Sequence, residues 1–395
     1  MFTEKTRVVL YSHDSQGLGH LRRNLALAHH LANELPRMGG KELTGLLVTG
    51  IVPPAGSTLP EGFDWLILPG ISKASGSYQA RNLGEDLPTV LSIRSAMIEA
   101  ALLSFEPDMV IVDRHIYGVG KELKKPLHCL RSYLPHSRII LGLREVLDSP
   151  QRCAREWEKL GAGTELRDII DEVWIYGDKK VHDTTATGEI PWYLHTKAVF
   201  TGYIAKRHHL GDHGLDSKRP YIVTTAGGGE DGYHILEQAV QIDVPHGYDH
   251  IVVTGPQLDR DSRKRLHTIA RTGTQIIPSL PGLGKVIDEA SAVIAMGGYN
   301  TVSEILATTT PALIVPREKP RQEQLIRAQA LEKHGAVEVL RAPHAHADSL
   351  TAWIHSAVGR TVSRSNIARD GLEHMCHRAA TLLKDTAAST MKEVL

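Results

Sequence analysis

The sequence predicts an α/β protein of two Rossmann-like domains that face each other across a cleft, followed by a long C-terminal helix. Three observations carry this. Short apolar runs alternate with amphipathic stretches along all 395 residues, as they do where parallel strands are covered on both faces by helices. The alternation pauses once, over the polar stretch 202–219, and then restarts. Several strand-to-helix junctions carry paired or tripled glycines, where open parallel sheets bind their ligands.

In the first half, residues 8–11, 45–49, 65–68, 109–112, 139–143 and 173–176 read as buried strands, with helical periodicity over 21–35 and 91–105. The apolar face of 91–105 reads as core, and the polar segment 72–81 as a flexible loop. After the pause, strands are expected at 221–225, 250–254, 275–277, 292–295 and 312–315. Helices are expected at 233–241, 260–271, 301–308 and 322–334, and a last long one at 363–384. The predicted organisation is a first domain over 1–201, a linker over 202–219 and a second domain over 220–362. A helical segment over 363–395 is expected to pack back toward the first domain.

Composition narrows the function. Lys plus Arg (45) equals Asp plus Glu (45), so the chain lacks the basic excess that a nucleic-acid partner calls for. The three cysteines are far apart and form no CxxC pair, which suits a reducing cytoplasm. The N-terminus leads straight into a strand rather than a signal peptide, and no apolar window of about 18 residues is evident, so no transmembrane segment is expected. The 22 histidines include clusters at 208–213, 344–346 and 374–377. None has the paired spacing of a zinc site, so no metal is expected.

In the first half, Gly17-Leu18-Gly19-His20 follows the first strand and opens the first helix. Arg22 stands where a dinucleotide fingerprint requires its third glycine, which argues against a nicotinamide cofactor. A histidine at a helix N-terminus is biased toward neutral imidazole, the form a general base needs. Asp113 ends a strand at the same sheet edge, where a carboxylate can orient that imidazole. The plain alternatives are a helix-start histidine and a turn aspartate. Asp14 is the next base on this side, with Gly17 and Gly19 shaping the wall.

In the second half, Gly227-Gly228-Gly229 joins a strand to a helix, and its amides suit a diphosphate if Glu230 and Asp231 point away. Gly297-Gly298-Tyr299-Asn300-Thr301 repeats the arrangement, and Glu304, one turn on, is placed to accept ribose hydroxyls. Polar residues at the start of the next helix, Glu323 and Gln324 among them, suit sugar hydroxyls.

Taken in order, these motifs resemble glycosyltransferases of the GT-B fold, especially the bacterial cell-wall N-acetylglucosaminyltransferase family (family 28-like) and related predicted transferases. The likeness rests on GGYNTVSE at 297–304, PALIVP at 311–316 and EQLIRA at 323–328. It implies that Tyr299, Asn300 and Thr301 give backbone or hydroxyl donors to a diphosphate, that Glu304 holds ribose, and that Glu323 and Gln324 hold the sugar. Arg327 stands where some relatives have Asn, and Met296 where others have a diphosphate-binding His; Lys206 or Arg207, just after the interdomain glycine, is the implied replacement cation. The first domain is then the acceptor side and the second the nucleotide-sugar side. The expected activity is inverting, metal-independent transfer from a nucleotide-sugar, UDP-linked first of all, to an acceptor hydroxyl, with His20 as base and Asp113 as its partner. The rivals are a nucleotide-sugar epimerase of the same fold, disfavoured because its Glu-Glu after the double glycine is missing, and a non-catalytic nucleotide-sugar-binding protein.

Overall fold

In the computed structural model the described residues are 5–13, 19–39, 41–54, 56–74, 77–205, 215, 219–229, 231–280 and 282–393. The first half runs β1 (Thr6–Tyr11), α1 (Gly19–Gly39), β2 (Leu43–Thr49), β3 (Phe63–Ile67), β4 (Ile71–Ala74), β5 (Ser77–Ala80) and α2 (Leu87–Phe105). It continues through β6 (Met109–Asp113), α3 (Lys124–Tyr133), β7 (Arg138–Arg144), α4 (Pro150–Glu158), α5 (Gly163–Ile169), β8 (Glu172–Tyr176) and β9 (Ala198–Phe200). The second half begins with β10 (Tyr221–Thr225), α6 (Tyr233–Ala239), β11 (Asp249–Val253), α7 (Arg260–Ile269), β12 (Thr274–Ile277) and α8 (Leu283–Glu289). It ends with β13 (Ala292–Ala295), α9 (Tyr299–Leu306), β14 (Ala312–Ile314), α10 (Glu323–Lys333), β15 (Glu338–Val339), α11 (Ala347–Ala357) and α12 (Gly371–Glu393).

The strands form a seven-stranded sheet, β3-β2-β1-β6-β7-β8-β9, and a six-stranded sheet, β12-β11-β10-β13-β14-β15. Every pairing in both is parallel, as in Val8 opposite Met109 and Ile222 opposite Ala292. The inner strands β6, β8 and β10 are buried at every position, which is why they read as largely apolar runs rather than alternating ones. Each strand order reverses once, at β1/β6 and at β10/β13, and this places two crevices at the carboxyl edges.

Three expectations need correction. The segment 72–81 is not a loop: β4 and β5 form an antiparallel hairpin, with Ile71 buried at its base. The hydroxyl of Tyr78 lies 3.5 Å from a ring nitrogen of His13, so the hairpin covers the edge near the cleft. Helix α2 is long and apolar enough to cross a membrane by length and composition only, a test that core helices also pass, with mean hydropathy 1.3 in its most apolar window. One face of it is buried, as the sequence suggests, but that face is not wholly apolar. Its buried stripe is Val90, Arg94, Ile98 and Leu102, and Arg94 donates to Glu122 at 2.7 Å inside the protein. The last helix starts at Gly371, not at 363. Before it, buried Arg364 donates to the carbonyls of Ala336, Thr308 and Thr310, which ties the chain down in a non-helical course. Gly371 then passes so close to Gly202 that a Cβ would lie 2.5 Å from its carbonyl oxygen. Lastly, the stretch beginning at 202 is not polar throughout, because Tyr203 is fully buried and stacks on Tyr299. The short helices α3, α4, α5, α8 and α11 and the edge strands β9 and β15 escaped the periodicity argument, being too short to show a period clearly.

Helix α12 packs along α1, with Leu372, Met375, Cys376 and Ala379 in the same core as Leu27, Leu31 and Leu35. Arg378 on α12 donates to Glu172 of β8 at 2.8 Å.

The two sheets meet at a polar seam. Glu145, just past β7, and Arg327 on α10 are both 0% exposed and paired through two hydrogen bonds of 2.7 and 3.1 Å. Arg327 also donates to the carbonyl of Gly297 at 3.2 Å. Beside it, the Gln322 amide donates to Asp148, and Arg152 donates to the Pro320 carbonyl. Removing one partner of a fully buried pair leaves an uncompensated charge. Arg327→Met should therefore lower the unfolding free energy by about 3–5 kcal/mol. Arg327→Met combined with Glu145→Met should recover most of that in urea titration; an equally unstable double variant would show that the packing, not the charge, was lost.

Candidate active site

The first crevice, at β1/β6, carries His20 and Asp113. His20 opens α1 after β1, and Asp113 is the last residue of β6, so the strand reversal brings together two residues 93 apart. The Nδ1 atom of His20 is 3.0 Å from Asp113 Oδ2, with the histidine side chain 18% exposed and the aspartate 1%. Arg23, one turn along α1, donates to the same Oδ2 at 2.8 Å and lies 2.9 Å from His20 Nδ1. A single Nδ1 cannot both donate to Asp113 and accept from Arg23. The tautomer with Nδ1–H on Asp113 leaves the Nε2 lone pair as the basic site.

Charge is tightly held here. Burial by itself would raise the Asp113 carboxyl, but the Arg23 guanidinium and then His20 outweigh it and hold the group well below the usual carboxylate range. Burial lowers His20, and Arg23 adds to this against the pull of Asp113, so the imidazole is biased to its neutral form. His13 is 5.8 Å from His20 between ring centroids, and His115 is 4.6 Å from His13. Burial, reinforced by His20, pushes His13 down to about 3; burial with Arg114 takes His115 well below its ordinary value.

The second crevice, at β10/β13, faces the first. Asn300 Nδ2 donates to the Gly19 carbonyl at 3.3 Å, and Arg23 donates to Asn300 Oδ1 at 3.3 Å. Helix α9 starts after Gly297, whose φ of +86° and whose hypothetical Cβ, 2.8 Å from Ile314, both require glycine. Its first intrahelical bond runs from Val302 to the Gly298 carbonyl, leaving the amides of Tyr299, Asn300 and Thr301 as first-turn donors. Among the described residues, nothing lies within 4 Å of a Cβ built on Gly298.

Several expected roles look different in place. The Tyr299 hydroxyl is no diphosphate donor. It accepts from the Ile204 amide, and the guanidinium groups of Arg23 and Arg327 each lie 5.6 Å from the centre of its ring. The side chain of Asn300 is engaged across the cleft. In the glycine triplet, the Gly227 amide donates to Thr225 and the Gly229 amide to the Ala226 carbonyl, so two of the three amides expected to face a phosphate are turned inward. Asp231 does turn away from the loop, paired with Arg317. The Thr301 hydroxyl lies 3.9 Å from a Cβ position on Gly227, which brings both glycine motifs to one place. Glu323 pairs with Arg317 and is 5% exposed, and Gln324 accepts from the Arg317 amide at 3.0 Å. Asp14, Gly17, Lys206, Arg207 and Glu230 lie outside the described residues. Among the described residues, no three His, Cys, Asp or Glu side chains gather as a metal site would require.

Sequence reasoning missed Arg23, whose signal was its place three residues after His20 on one helix face. It also missed Glu145 and Arg144, which had no local signal at all.

Residues 229–364 match the Glycosyltransferase family 28 C-terminal domain. Over 180 residues the chain is 26% identical to the UDP-N-acetylglucosamine–N-acetylmuramyl-(pentapeptide) pyrophosphoryl-undecaprenol N-acetylglucosamine transferase of Corynebacterium glutamicum strain R, covering 45% of this chain and 49% of that one. It is 28% identical to an uncharacterized glycosyltransferase of Methanosarcina mazei over 148 residues, 36% of each chain. The chain thus spans about half the length, or less, of these curated relatives. Among solved structures it is similar to the kitacinnamycin glycotransferase (TM-score 0.62, 14% identity, 97% of this chain and 99% of that one). It is also similar to MurG of Acinetobacter baumannii (TM-score 0.52, 15% identity, 95% of each). The chain has the two-domain GT-B fold of these glycosyltransferases.

Glu304, one turn into α9, is largely buried beside Gly284, and burial raises its carboxyl to about 7 despite Arg22 nearby. An unfolded glutamate titrates at about 4.3. The stabilising effect of the retained proton is complete below that value and is lost as pH rises through about 7. Glu304→Gln should therefore melt several degrees above wild type at pH 8 and close to it at pH 5. Equal melting shifts at both pH values would mean the carboxyl is not desolvated.

Proposed function

We propose that this chain transfers a sugar from a nucleoside-diphosphate donor, UDP-linked in the first instance, to an acceptor hydroxyl with inversion at the anomeric carbon. The observation that carries the reading is the facing of the two strand-reversal crevices. One holds a part-buried imidazole–carboxylate pair at 3.0 Å, and the other holds a helix start whose first-turn amides have no backbone partner among the described residues. The match of 229–364 to a glycosyltransferase C-terminal domain supports assigning the donor to the second crevice.

In this mechanism His20 Nε2 removes the acceptor proton as the oxygen attacks the anomeric carbon. The bond from that carbon to the diphosphate oxygen breaks, and the nucleoside diphosphate leaves. Asp113 accepts from Nδ1–H and offsets the charge of the imidazolium formed. Arg23 shares that carboxylate, so Asp113 is kept ionised before a proton is taken up. The α9 amides and helix dipole stabilise the leaving diphosphate, where a metal acts in other sugar transferases. Glu304 accepts from ribose hydroxyls, and Glu323 and Gln324 bind the sugar. The acceptor lies on the wall formed by the first sheet.

Positioned base catalysis contributes about 10²–10⁴-fold, so His20→Ala should lower kcat by that order with UDP affinity by calorimetry within a small factor of wild type. Asp113→Asn should lower kcat in the same direction. Near-normal turnover in His20→Ala would take the base role from this residue. Turnover should persist in excess chelator, and the product's anomeric configuration by NMR should be opposite to the donor's. Retention of configuration, or activity that returns only with added magnesium or manganese, would count against the single displacement or the metal-free donor site.

A further inference from the structure

Arg144 ends β7, next to the strand that ends in Asp113, and is followed directly by the Glu145 that anchors Arg327. It therefore stands where the first sheet's edge meets the start of α9, since Arg327 also donates to the Gly297 carbonyl. Its cationic neighbours are each matched. Arg23 has Asp113, Arg114 has Glu156, and Arg327 has Glu145. Arg144 has no carboxylate within ion-pair distance among the described residues, and its Nε is buried with no hydrogen-bond partner.

Arg144 is half-buried at the cleft, and a guanidinium that leaves a buried Nε unpaired is costly, so native proteins rarely keep one without a use. Burial, then Arg327, Arg23 and Arg114, push Arg144 down to about 9, so the field around it is positive and favours an anion. The opposing pull comes from Glu323, one of whose oxygens is already held by Arg317. The sequence meanwhile offers no cation before the Gly297–Gly298 pair, where Met296 stands.

We propose that Arg144 is a phosphate-binding residue, reaching across the seam to hold an oxygen of the leaving nucleoside diphosphate opposite the α9 amides. This rests on the transferase reading above. As the bond to the anomeric carbon breaks, negative charge grows on that diphosphate, and a guanidinium fork already in place stabilises it without reorganisation. The leaving group is then clamped between the two halves, with the amides supplied by one and the cation by the other.

The test compares Arg144→Met and Arg144→Lys with wild type by calorimetry, using UDP, uridine and inorganic pyrophosphate. Loss of charged hydrogen bonds to phosphate should weaken UDP and pyrophosphate at least about tenfold in Arg144→Met and less in Arg144→Lys. Uridine affinity should not change. The unliganded Arg144→Met protein should melt at or above wild type, since it loses a charge that had no partner. UDP and pyrophosphate binding Arg144→Met as tightly as wild type would overturn the proposal. So would an equal loss for uridine, or a lower melting temperature that accounts for the loss. Unchanged UDP affinity with a raised acceptor KM would assign the anion to the acceptor and also overturn it. Wild-type protein that binds pyrophosphate through Arg144 but no nucleoside diphosphate would keep the phosphate site and remove the transferase reading.

Discussion

The buried pair of Glu145 and Arg327 is the constraint on which the rest of this structure depends. Two groups with no solvent exposure can stay charged only if each completes the other, so the end of β7 and the body of α10 must meet in one geometry. Arg327 then orders the start of α9 through the Gly297 carbonyl, and both it and Arg23 lie over the ring of Tyr299. Asn300, held by that turn, reaches the Gly19 carbonyl. A chain of contacts thus runs from the seam to the residue before His20, and the two crevices are held face to face.

The electrostatics of the cleft follow from the same arrangement. Arginines concentrate at the meeting of the halves, and most are matched by a carboxylate on the opposite wall or a neighbouring strand. Three histidines lie among them, and burial together with the nearby cations biases each toward neutral imidazole. A wall that keeps its imidazoles uncharged and its aspartate ionised suits proton abstraction followed by departure of an anion. One residue, Arg23, ties this wall to the other by touching Asp113, His20 and Asn300 together.

Much of this was legible in the sequence for physical reasons. Central parallel strands are buried on both faces, so β1, β6, β10 and β13 appear as apolar runs whatever surrounds them. A helix start that needs φ above zero needs glycine, so Gly297 marks its own turn. His20 and Asp113 were found because each ends or follows such a strand, and strand ends at one sheet edge are the places where ligands bind. The hairpin of β4 and β5 was hidden because its polar, two-sided strands lack a buried period.

The two parallel sheets, the strand-end positions of His20 and Asp113, and the glycine turns of the second half are written in the residues. These depend on local pattern and on a topology rule that every open α/β sheet obeys. How side chains at those positions are used emerges from the packed chain alone. Packing turned Tyr299 and two of the glycine amides inward, joined Glu145 to Arg327 across 182 residues, and left Arg144 unmatched beside them. The physical reason is that pairing of charges across a seam depends on which surfaces meet, and no local period records that.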